Sequence, residues 1–140
     1  MNDMFAALEA LTDRDPNRRD VAADTLGDLL RGTALNTDTA RLVVGRLVGL
    51  TINEPVAKVR ESTLNSISEA FNHHRLSLDL VEPLAREHLE HALYILGATC
   101  DPRARLLIEP FFHHPDPQVR EDARIAAAEI TASEGTTHNS

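Results

Sequence analysis

The sequence predicts an all-α fold of short helices packed as hairpins, on three observations. Aromatic residues make up 4% of the chain and Trp is absent, so a core has to be built from Leu, Ala, Val and Ile, which suits packed helices. No segment carries the sustained Val/Thr/Tyr alternation of a half-buried strand. And one pattern returns along the chain: a proline, then an Arg-acid step, then small and aliphatic residues closed by an acid.

Taken in order, helices are predicted over 3–12, 16–31, 38–52, 55–72, 78–97, 103–113 and 117–131. Asp15-Pro16 and Asp116-Pro117 pair an N-cap acceptor with a proline at the first helical position. Gly32 and Gly97 stand where a glycine just past the last turn ends a helix. Ser77 caps the segment "LDLVEPLAREHLEHALYIL", in which Pro83 marks either a kink or a short helix followed by a new start. The connections are short, as between antiparallel neighbours. The buried face follows from the helical period. Ala22, Leu26, Leu29 and Leu30 share one side of the second helix, matched by Thr63, Ile67, Ala70 and Phe71, and by Ala123, Ala127 and Ile130. Gly45 and Gly49, one turn apart in "VVGRLVG", are read as a site of close helix packing. A single domain is expected over 1–132, with "SEGTTHNS" (133–140) as a frayed tail that has no apolar pattern.

The repeat is clearest when "VREDARIAAAEI" (119–130) is set beneath "VRESTLNSISEA" (59–70). "RRDVAADTLGDLL" (18–30) is a third copy and "AREHLEHALYIL" (85–96) a weaker fourth. The anchors are Arg19, Arg60, Arg86 and Arg120, each followed by an acid, at spacings of 41, 26 and 34 residues. No strict period holds, but each interval is near the length of a helix pair in a helical array. "LIEPFFHHPDPQVREDARIAAAEI" (107–130) resembles a HEAT repeat, in which a first helix ends in an Asp/Pro-rich turn and a second opens on Val-Arg and runs on through alanines. Residues 54–71 and 15–31 resemble further second helices, whereas 77–97 departs from the pattern because no Asp-Pro turn precedes Arg86. The resemblance implies a short right-handed α-solenoid of about three to four HEAT-like hairpins, with the second helices lining a concave face. It also implies structural arginines, expected to bond to acids such as Asp15 or Asp116.

Composition narrows function. A formal net charge of −8 disfavours nucleic acid, which calls for a basic face, and permits a basic protein partner. Cys100 is the only cysteine, so neither an intrachain disulfide nor a cysteine metal cage is available. "RLVVGRLVGLTI" (41–52) is too short for a membrane span and includes Arg46, and "MNDMFAALEAL" lacks the basic start of a signal peptide. No membrane association is expected, and a cytoplasmic location.

Catalytic and metal chemistry find little support. His73-His74 and His113-His114 each close a predicted helix, where donors suit unpaired carbonyls, and adjacent histidines on a helix diverge too far to chelate well. In "EHLEH", His88 and His91 lie one turn apart with Glu87 and Glu90 beside them, but no second Glu-x-x-His copy completes a di-iron set. The iron-binding HEAT-like hydroxylases use His-Glu pairs, which this chain lacks. No phosphate-cradling loop exists among six scattered glycines, and nothing pairs Cys100 with a base. No cofactor is expected.

The surface feature that recurs is acidic. Asp20, Asp24 and Asp28 are spaced by four, about 200° round the helix from Ala22, Leu26 and Leu30. Glu61, Asn65 and Glu69 hold the same places in the second copy, and Glu121 and Glu129 in the last. Like charges at this spacing repel, so a retained stripe points to a basic partner. The expectation is a non-enzymatic protein-binding module using an acidic face. By resemblance to small bacterial HEAT-like proteins, it could be an immunity protein covering a basic toxin. The alternatives are a HEAT-like lyase or hydroxylase, an enzyme accessory, or a scaffold.

Overall fold

The computed structural model describes residues 2–87 and 89–138. Among them the regular structure is entirely helical. The chain divides into two compact units, 1–76 and 77–140, where the sequence was read as one domain over 1–132.

The first unit holds four helices: α1 (Asn2–Ala10), α2 (Pro16–Arg31), α3 (Thr37–Asn53) and α4 (Ala57–His73). Their starts follow from local chemistry. Asp15 caps α2 by accepting the Asn17 amide at 2.9 Å, with Pro16 at the first position, and Asn36 caps α3 by accepting the Thr39 amide at 2.9 Å. Before α4, Glu54-Pro55 takes the part that Asp15-Pro16 plays before α2: the Glu54 carboxylate accepts the Val56 amide at 3.0 Å. α1 packs on α2, α2 lies along α4, and α3 packs on α4. The core is the predicted face: Ala22, Leu26, Leu30, Thr63, Ile67, Ala70 and Phe71 are all buried, and Leu29 is half-buried at its edge.

Polar residues set the close approach within this core. The Ser66 hydroxyl donates to the Ala23 carbonyl at 2.7 Å, tying α4 to α2, and the Thr51 and Thr63 hydroxyls meet at 2.7 Å between α3 and α4. Each buried hydroxyl therefore has a partner, as burial demands. Gly27 faces Ser66 so tightly that a Cβ there would collide with the serine hydroxyl. Gly45 and Gly49, read from sequence as the packing glycines, are exposed instead, with open space where a Cβ would stand. The helix that needs a glycine is α2, because its partner α4 brings Ser66 against it.

The second unit is more broken. A 3₁₀ turn (Leu78–Leu80), begun by Ser77, leads into α5 (Glu82–Glu87), and α6 (Leu89–Ala98) follows beyond residue 88. Predicted helix 103–113 is three short pieces: a 3₁₀ turn (Pro102–Ala104), α7 (Arg105–Ile108) and a second 3₁₀ stretch (Glu109–His113). Pro110 lacks the amide that a regular helix would use there. The last helix, α8 (Pro117–His138), runs past residue 132, where a frayed tail was expected to begin. α6 packs on α8, and Gly97 is the reason it can come so close: a Cβ there would lie 2.8 Å from the Ala126 Cα. Gly97 thus lies inside its helix rather than ending it. The stop comes at Cys100, with φ 54° in the left-handed region, the place the sequence had given to the glycine. Ala123 and Ile130 are buried as predicted, and Ala127 is half-buried.

Candidate functional site

The four anchor arginines come first, because they separate frame from surface. Arg19 donates to the Asp13 carbonyl at 2.9 Å, Arg60 to the Glu54 carbonyl at 2.9 Å, and Arg120 to the His114 carbonyl at 2.7 Å. In each case the guanidinium sits one turn into its helix and reaches back six residues, closing the turn that precedes the helix. The sequence had assigned these arginines to acids such as Asp15 and Asp116. Those acids instead accept backbone amides two residues on, and the arginines take the carbonyls. Arg19 alone of the four adds a buried acid. Its Nε and Nη2 grip the Glu54 carboxylate at 2.7 and 2.9 Å, with that side chain 1% exposed. Burial pushes the Glu54 carboxyl up, but hydrogen bonds from Arg19 and the Val56 amide, with the charges of Arg19 and Arg60, hold it below the usual range. Arg86 departs from the set. It is exposed and pairs with Glu82 at 2.7 Å, one turn away on its own helix.

The acidic stripe is partly dismantled by its neighbours. Asp20 is buried: its carboxylate takes the Ser62 hydroxyl and stands 3.5 Å from the Lys58 ammonium. It joins α2 to α4 and offers nothing to a partner. The register of the two helices, invisible in one sequence, places Ser62 and Lys58 there. Asp24 and Asp28 are exposed as expected. Across from them on α4, Asn65 and Glu69 line the same polar groove, about 500 Å³, together with Ser66, Ser68 and Arg31. Arg31 balances part of the charge, 3.3 Å from Asp28 and 3.4 Å from Glu69. Glu61 is exposed one turn further back on α4. The Asp24 carboxyl is pushed up by partial burial and by the like charges of Asp20 and Asp28, against the opposing pull of Ser62 and Lys58. It is an acid held in an acidic setting, and a cation arriving beside it would relieve that strain. Glu121 and Glu129 belong to the second unit. Glu121 is 3.4 Å from Arg124 on its own helix, and the Glu129 carboxylate lies over Gly97.

His74 and His114 are absorbed into turns. His74 Nε2 lies 3.2 Å from the Leu30 carbonyl, at the end of α2, and His73 lies 3.4 Å from Glu69. His114 Nδ1 accepts the Asp116 amide at 3.0 Å, and the other ring nitrogen faces the Glu90 carboxylate at 2.9 Å. Phe111 stacks on the same ring, with centroids 6.0 Å apart. His88 lies outside the described residues, as do the side chains of Glu87 and His91. Among the described residues no group of three His, Cys, Asp or Glu side chains is placed to hold a metal, and no helix is long and apolar enough to cross a membrane.

A repeated unit missed at the sequence level is Asp101-Pro102. Its carboxylate accepts the Arg103 amide at 2.9 Å, as Asp15 and Asp116 accept theirs. The Asp-Pro dipeptide was the available signal.

No family model and no curated protein matches the chain. Among solved structures, it is similar to the crystal structure of an engineered protein, with a TM-score of 0.66 at 18% identity. The match covers 93% of this chain and 63% of that one, so the present chain spans less than two thirds of its length. At that identity the likeness concerns the fold alone.

Proposed function

We propose that this chain is a HEAT-like helical-repeat module, a short right-handed solenoid, that binds another protein and catalyses no reaction. The repeat reading is supported by three arginines that reach back by the same six residues to close the same turn. The observation that carries the binding reading is the groove between α2 and α4. Asp24, Asp28, Asn65 and Glu69 line it, Arg31 is the cation beside them, and Asp24 is crowded by like charge. The partner surface that suits it is basic, since opposite charge speeds encounter and relieves the repulsion among the acids.

Capture from native lysate, with the retained proteins identified by mass spectrometry, tests this. The wild type is compared with an Asp24→Lys, Asp28→Lys variant whose fold is verified by circular dichroism. Asp20 is left intact because it holds α2 to α4. A basic protein retained by the wild type and lost from the variant is expected. The same proteins retained by both would remove the acidic groove from the function.

A further inference from the structure

We propose that the groove on the other flank of α2, between α1 and α2, docks an amphipathic basic helix of the partner protein. This rests on the reading of the α2 acids as a partner-binding face, and adds the apolar half of the same contact. The groove is about 670 Å³ and is lined by Ala6, Ala7 and Ala10 from α1 and by Val21, Ala22 and Thr25 from α2. Val21 is 64% exposed, so an aliphatic side chain faces water beside a row of alanine methyls. Isolated exposed apolar residues need no explanation, but a valine set in a concave apolar channel presents surface that an incoming helix would cover. The small lining side chains let that helix come close and seat leucine-sized side chains between them.

Charge around the groove selects the occupant. Asp3 and Asp13 line it on one side. Asp24 and Asp28, one and two turns along α2 from Val21, are exposed on the same helix. The cation in the lining, Arg18, is 3.5 Å from Asp13. A second copy of this chain would bring the same net charge of −8 to that rim. A helix with lysines or arginines flanking an apolar stripe matches both the channel and its acidic borders.

The test uses the full chain and two labelled synthetic peptides, followed by fluorescence anisotropy. One is a Leu/Lys amphipathic helix; in the other every Leu is replaced by Ser at unchanged charge. The Leu peptide is expected to bind the wild type, and the Ser peptide about tenfold or more weakly, as burial of an aliphatic side chain implies. Val21→Asn, at an exposed position and without charge change, is expected to remove that preference. If the two peptides bind equally and Val21→Asn has no effect, the α1–α2 groove is not the site, while the acidic reading stands. If neither peptide binds, the acidic reading falls and the groove with it. A wild-type dimer in sedimentation that Val21→Asn dissolves would make a second copy the occupant and overturn the proposal.

Discussion

Arg19 and Arg86 look alike in the sequence, each an arginine before an acid, yet the structure gives them unequal weight. Arg19 holds a carboxylate that is almost wholly buried and closes its own turn, whereas Arg86 makes an exposed pair within one helix. Removing one partner of a buried pair strands the other charge, so Arg19→Ala is expected to cost about 3–5 kcal/mol in urea denaturation. Arg86→Ala is expected to cost less than about 0.5 kcal/mol. Glu54 also sets an acid dependence. Its folded carboxyl is held below the usual carboxylate range, so its contribution is complete above the unfolded value and is lost as pH falls through the lower folded one. The stability curve of Glu54→Gln is expected to fall less steeply than the wild type below about pH 4.5. Parallel acid limbs would show that the buried pair does not govern that limb. The sequence grouped Arg86 with Arg19, Arg60 and Arg120, which alone of the four share one geometry, and it did not disclose their partners. A carbonyl six residues back and a glutamate 35 residues away leave no local signature, since every residue has a carbonyl.

The same limit shows among the elements. Helix starts were legible because a capping acid and a proline act locally, and the buried face of α2 and α4 was legible because it repeats with the helical period. The roles of the glycines were not, since a helix does not disclose which side its neighbour takes. Gly27 lies under Ser66 and Gly97 under Ala126, while Gly45 and Gly49 face open space. Gly27→Ala and Gly97→Ala are therefore expected to destabilise by about 1–3 kcal/mol through overpacking. Gly45→Ala and Gly49→Ala are expected to stabilise by about 0.5–1 kcal/mol each through helix propensity. Thermal unfolding of the four variants checks this, and a loss of stability at Gly45 or Gly49 would place a neighbour where the structure has none.

At the scale of the whole molecule, an excess of acid is arranged as well as present. One acid of the predicted stripe, Asp20, joins the frame with Ser62 and Lys58, and Arg31 offsets two more at the groove. Asp24 stays exposed between two like charges. Its carboxyl is pushed up by partial burial and by its acidic neighbours, so its charged form costs stability above the folded value and that cost vanishes below the unfolded one. The stripe was visible in the spacing of three aspartates, but its division into frame and surface depends on the register of α2 against α4. The most direct measurement is the affinity of Asp24→Asn for the basic Leu/Lys peptide, taken with its unfolding free energy at pH 7. The variant is expected to be more stable, by about 0.2–0.5 kcal/mol for each like-charge pair removed, and to bind more weakly. A variant equally or more stable that binds as tightly as the wild type would contradict the assignment of the acidic face to partner binding.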